Sequence, residues 1–147
     1  AETPKRIVFA EGEEEAVLRA AYAFQQEGLG KAVLIGREEQ IREGLKNAGF
    51  PADADFEIHH SRTATNTALY ADYLYERLQR RGVLRRDALR LVNTDRNVYA
   101  ACMLAHGHAD GMVTGVTRNF NVALENVRLA LEPRPGERLI GLCIILA

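Results

Sequence analysis

KRIVFAEGEEEAVLRAAYAFQQEGLGKAVLIG, residues 5–36, holds the alternation on which the fold turns. KRIVFAEG is a short apolar run that ends in Glu-Gly. In EEEAVLRAAYAFQQEGLG after it, Val17, Ala20, Ala21 and Phe24 recur at helical spacing. Acids at Glu13, Glu14 and Glu15 suit the positive end of a helix dipole, and Gly28 or Gly30 suits the helix end. KAVLIG is then a second apolar run. The segment reads strand, helix, strand.

The pattern continues outward. REEQIREGLKNAGF predicts a second helix with Ile41 and Leu45 turned inward before the Gly49-Phe50-Pro51 break, and FEIHH is a weaker strand. TALYADYLYERLQRRG predicts a helix with Tyr70, Leu74 and Leu78 on one stripe, and RRDALRLVN a short one. NVYAACMLAHG predicts a helix ending at Gly107, GMVTG a strand, NVALENVRLAL a further helix, and LIGLCIILA a last apolar segment. Continuously apolar strands separated by helices require a mainly parallel sheet covered on both faces. The expected architecture is a three-layer α/β/α unit spanning residues 1–147, with no internal repeat, linker or domain boundary.

LIGLCIILA is nearly all apolar, and a parallel sheet leaves such a strand bare unless something packs on it. The expectation is a piece of a larger protein, its last strand meeting further chain or a second copy in a homo-oligomer.

Composition narrows the partners. Basic and acidic residues, 19 and 20 of them, are mixed along the chain for a formal charge of -1, so neither nucleic acid nor an anionic membrane is an expected partner. A small molecule or another protein is. Cys102 and Cys143 lie far apart in apolar surroundings and read as reduced core thiols of a cytoplasmic protein. The sequence shows no apolar signal core at the N-terminus and no eighteen-residue apolar run.

Motifs that would decide the chemistry at once are absent. AEGEEE stands where a G-x-G-x-x-G would follow the first strand, and there is no G-x-x-x-x-G-K-[ST]. His59-His60 and His106-x-His108 lack the i, i+4 spacing of a helical ligand pair and read as surface or packing histidines, not metal ligands. Two of Tyr70, Tyr73 and Tyr75 read as core or interface.

HADGMVTGVTRNF, residues 108–120, is the better candidate, because ligands of open parallel sheets bind beyond the carboxyl ends of the strands. Gly115 admits close backbone approach, Thr117 offers a hydroxyl, Arg118 a planar cationic fork, and Asn119 or Asn121 a cap for the next helix. Together they suit a phosphate or carboxylate. The same residues also serve as a plain turn, a helix cap and a solvated charge, and residue chemistry leaves both open. Arg128 shares a helix face with Asn121 and Glu125, either looking into a cleft or forming an i, i+3 pair with Glu125; Arg42 reads as an exposed comparison position.

KRIVFAEGEEEAVLRAA, KAVLIG and LVNTDRNVYAACMLAHGHADGMVTGVTRNF resemble, in order and spacing, the first half of the phosphate acetyl/butyryl transferase family. The resemblance spans nearly the whole chain and is closer still to the transacetylase-like domain at the C-terminus of long bacterial NADP-dependent malic enzymes. Those domains show an aromatic soon after the turn and a longer spacing ending in Val-Arg, like Phe120 and Val127-Arg128; plain transacetylases show a His-Ser-Thr-type turn where Arg118-Asn119-Phe120 stands. Leu78-Gln79 replaces the Arg-Lys pair usual in active transacetylases, with Arg80 and Arg81 close by.

The resemblance implies a phosphotransacetylase fold, related to the isocitrate and isopropylmalate dehydrogenases and incomplete here. In phosphotransacetylase the coenzyme A thiolate attacks the acyl carbon of acetyl phosphate while cations and amides hold the phosphate. The serine-arginine and aspartate used for that step are expected beyond Ala147, so no catalytic residue is assigned. Gly115, Thr117 and Arg128 carry over as ligand contacts, and Arg118 joins them from its position. The implied role is a regulatory domain binding acetyl-CoA or phosphate, with NADP and a divalent metal, Mg or Mn, in the malic-enzyme part and no cofactor here. An active phosphate acetyl- or butyryltransferase is the alternative, and a purely structural oligomerisation domain a third.

Overall fold

The computed structural model describes residues 5–61, 65–114 and 142–144. Within them the order is β1 (Lys5–Phe9), α1 (Glu15–Gln26), β2 (Gly30–Ile35), α2 (Glu38–Asn47), β3 (Glu57–His59), α3 (Thr67–Leu78), α4 (Arg85–Thr94), α5 (Arg96–Ala105), β4 (Gly111–Thr114) and β5 (Leu142–Ile144). The strands form one sheet in the order β3-β2-β1-β4-β5, and every pairing is parallel.

Alternation along the strands explains their unbroken hydrophobicity. Successive side chains point to opposite faces. Val8, Val33, Ile35 and Met112 enter one core with residues of α3, α4 and α5, while Phe9, Ala32, Leu34 and Val113 enter a second core with α1 and α2. Both faces are therefore buried, which only a three-layer arrangement provides. Tyr70, Leu74 and Leu78 are buried along α3 as their spacing requires, and Ile41 and Leu45 along α2.

Local signals set the joints. A 3-10 turn, Gln79–Arg81, ends α3 and closes on Gly82, whose φ of 86° is a left-handed conformation suited to glycine. Asp95 starts α5 by accepting hydrogen bonds from the backbone N–H groups of Asn97 and Val98 at 2.9 and 3.1 Å. Arg6 on β1 reaches past β2 to bind both oxygens of Glu57 on β3, each at 2.8 Å, and also donates to the His108 carbonyl. This fork ties one edge of the sheet to its centre.

Of the three acids assigned to the first helix dipole, only Glu15 lies in the first turn. Glu14 occupies the N-cap position without a side-chain cap, and Glu13 lies before the helix with a different task. Among the described residues no helix is long and apolar enough to cross a membrane.

Candidate functional site

The strand order creates a switch point. From β1 the chain moves outward to β2 and β3, then returns to place β4 on the other side of β1. In open parallel sheets ligands bind beyond the carboxyl ends of the strands at such a point. Three backbone bonds hold this end of the sheet: Ala10 N–H to the Val113 carbonyl at 3.0 Å, Gly12 N–H to Ile35 at 3.0 Å and Gly36 N–H to His59 at 2.9 Å. Gly12 is demanded by space, because a Cβ there would lie 3.0 Å from both the Ile35 oxygen and the Leu34 Cβ.

Glu13 follows and becomes the hub. Its carboxylate accepts from the Arg37 backbone N–H at 2.8 Å, from Arg37 Nε and Nη2 at 3.2 and 3.0 Å, and from Arg96 Nη2 at 2.8 Å. Its side chain packs on Gly36, where a Cβ would meet Glu13 Cγ at 2.9 Å. Burial works to raise the Glu13 pKa, but the hydrogen bonds from Arg37 and the charge and hydrogen bond of Arg96 outweigh it and hold the carboxyl down at about 2.

Arg37 and Arg96 line a cavity of about 350 Å³ together with His60, Ser61, Asn93 and Thr94. Its floor is knitted to the fold: Ser61 Oγ donates to the Asn93 carbonyl at 2.7 Å, and Thr67 Oγ1 donates to the Ser61 carbonyl at 2.7 Å. Thr94 Oγ1 donates to the Arg90 carbonyl. Both lining hydroxyls thus donate to backbone carbonyls, and the guanidinium groups of Arg37 and Arg96 give the cavity the chemistry to hold an anion.

The histidine pairs split by function. His59 hydrogen-bonds Glu57 at 2.7 Å through Nε2 and the Tyr99 hydroxyl at 2.8 Å through Nδ1, continuing the chain of bonds from Arg6. The Arg6 hydrogen bonds, then the His59 contact, hold the Glu57 pKa at about 2 against the cost of burial. His60 turns instead toward the cavity. His106 and His108 stack at 5.6 Å, and Tyr70 hydrogen-bonds His108 Nδ1 at 2.6 Å. Among the described residues no group of three His, Cys, Asp or Glu is arranged to hold a metal.

Gly115, Thr117, Arg118 and Arg128, and the helix expected over NVALENVRLAL, lie outside the described residues. β4 ends at Thr114, one residue past Val113, which pairs with Phe9 at the carboxyl end of β1. Arg42 departs from the sequence reading: it is half-buried and donates to the carbonyls of Ala52 and Ala54. Leu78 is buried in the core, and Arg80 and Arg81 lie exposed on the following turn.

Sequence reasoning did not find the Glu13–Arg37–Arg96 cluster. A signal existed in Glu-Gly-Glu after β1 and Gly-Arg after β2, since both are polar and glycine-containing continuations of apolar strands.

The chain matches the phosphate acetyl/butaryl transferase family over residues 1–147. It is 53% identical over 144 residues to the NADP-dependent malic enzyme of Rhizobium meliloti (strain 1021), covering 97% of this chain and 19% of that protein. A phosphate acetyltransferase of Clostridium acetobutylicum is 31% identical over 137 residues, covering 93% of this chain and 40% of the relative. The structure of a phosphotransacetylase from Streptococcus pyogenes superposes with a TM-score of 0.81 at 27% identity, covering 92% of this chain and 40% of the other. The chain therefore spans about a fifth of the malic enzyme it resembles and two fifths of the transferases.

Proposed function

The chain belongs to the phosphate acetyl/butaryl transferase family, and on that basis we propose that it is the first half of a phosphotransacetylase-like regulatory domain within a longer NADP-dependent malic enzyme. The observation carrying this reading is the gap in similarity: 53% identity to a malic enzyme against 31% to a phosphate acetyltransferase. The parent protein oxidatively decarboxylates malate to pyruvate. NADP and the divalent metal, Mg or Mn, belong to the part outside this chain.

The role of the domain is to bind acetyl-CoA, or phosphate, and bias the parent between states. Such coupling requires the effector to bind one state more tightly than the other. Gly115, Thr117, Arg118 and Arg128 are the proposed contacts; they follow β4, which ends at Thr114, in the sequence. The protein acts in the cytoplasm as a homo-oligomer, in which the sheet is completed by further chain or a second copy. Activity measured on the full-length protein with and without acetyl-CoA tests this reading.

The fold match to a solved phosphotransacetylase supports a second reading, an active acyltransferase. There the coenzyme A sulfur forms a bond to the acyl carbon while the carbon–oxygen bond to phosphate breaks and phosphate leaves. Burial of Leu78 where active transferases usually place a cation favours the regulatory role.

A further inference from the structure

A second cavity, of about 490 Å³, adjoins the first along the outer side of α4. Asn93 and Thr94 line both, so the two meet at the end of α4. One end carries Arg37 and Arg96, and the other Arg86 and Arg90 beside the exposed Leu89. Among the described residues no carboxylate lines either cavity. Glu13 is the acid nearest in role, but it takes only one N–H of Arg96 and the Nε and Nη2 groups of Arg37. Each guanidinium has five donors, so Glu13 orients the pair and leaves N–H groups for a ligand.

Helix geometry sets the spacing of the two cationic ends. Arg90 and Arg86 stand one and two turns before Thr94, about 6 and 12 Å along the axis. Asn93 lies between the ends, and its Oδ1 is shut off from water with no hydrogen-bond partner. Buried polar atoms without partners are rare in folded proteins, and a donor supplied by a ligand is one remedy.

We propose that this groove binds a hydroxylated organic bisphosphate, a six-carbon sugar bisphosphate in length, with one phosphate on Arg37 and Arg96 and the other on Arg86 and Arg90. With the Asn93 terminal amide turned toward the groove, a midway hydroxyl donates to Oδ1. Arginine forks suit phosphate oxygens bidentately, and two such contacts held on one ligand act together. The site lies over the β2, β3 and α4 ends and does not depend on acetyl-CoA being an effector.

Calorimetric titration of the full-length protein tests it, with fructose 1,6-bisphosphate, fructose 6-phosphate and inorganic phosphate as probes. The bisphosphate is expected to bind at least tenfold more tightly than either monophosphate. Replacing the exposed pair together, Arg86→Ala with Arg90→Ala, removes that advantage while inorganic phosphate binding stays within twofold. Arg96→Ala weakens all three probes. The Arg86→Lys and Arg90→Lys pair, which keeps the charge and controls for folding, retains part of the advantage. Absence of bisphosphate binding at millimolar concentration overturns the proposal, as does equal affinity for the three probes or an unchanged bisphosphate affinity in the alanine pair.

Discussion

Arg96 at the start of α5 donates to the Glu13 carboxylate at 2.8 Å, joining a helix start to the loop after β1 across 83 residues of chain. The same carboxylate holds Arg37 beyond β2. One acid thus fixes the carboxyl-end loops of two strands to the helix behind them, and its loss should be felt in both stability and binding.

Glu13→Gln is expected to destabilise the protein at neutral pH by about 2 kcal/mol, the range for hydrogen bonds made by a charged group. Arg37 is well exposed, so most of the effect comes from Arg96 and the backbone N–H of Arg37. Urea unfolding of wild type and variant at pH 7 checks it. Equal midpoints with equal slopes would show the hub to be energetically silent.

Acid should find the same groups. Glu13 and Glu57 have folded pKa values near 2, below the ordinary 4.5. Their contribution is complete above about pH 4.5 and is lost as pH falls toward 2. Glu13→Gln and wild type should therefore converge in stability across that window. A constant difference from pH 7 down to 2.5 would contradict the depressed values.

Gly12→Ala probes the backbone that positions the cluster. The added Cβ meets the Ile35 carbonyl and Leu34 Cβ at 3.0 Å, so strand ends must separate. The expected loss is about 1–3 kcal/mol, as for other overpacked positions. Gly44→Ala is a useful contrast, because its Cβ meets only the movable Leu18 Cδ1 closely. Thermal melting should rank Gly12→Ala as the more damaging change.

Cys102 is fully buried in α5, and burial pushes its thiol pKa up to about 12. The reactive thiolate is therefore scarce at neutral pH and shielded as well. Iodoacetamide should leave Cys102 unlabelled in the native protein and label it in urea, as read by peptide mass. Rapid native labelling would show that α5 opens.

Much of the fold is visible in local patterns because each pattern has a local cause. IVFA and AVLI read as buried strands since alternate residues feed two different cores, and Gly82 and Asp95 mark helix ends through their own backbone chemistry. The Glu13 cluster is different. No spacing in the chain encodes the meeting of Glu13, Arg37 and Arg96; sheet order β3-β2-β1-β4-β5 creates it. His59 and His60 make the same point on a smaller scale: His59, the last residue of β3, joins the Arg6–Glu57 chain, and His60 after it lines the cavity. Arg42 looked solvated by composition, yet two backbone carbonyls hold it, so exposed Lys46 is the sounder comparison for Arg128.

Acetyl-CoA binding by the full-length protein is accordingly expected to fall at least tenfold in Arg128→Ala and to stay within twofold in Lys46→Ala, measured by calorimetry. Equal effects would return Arg128 to an ordinary surface pair with Glu125.

The most direct test of the regulatory role measures two activities on one preparation of the full-length protein: malate-dependent NADPH formation across an acetyl-CoA titration, and coenzyme A-dependent acyl-phosphate turnover. Acetyl-CoA is expected to change the first severalfold while the second stays at background. Robust acyl-phosphate turnover, or a malate reaction indifferent to acetyl-CoA, would contradict it.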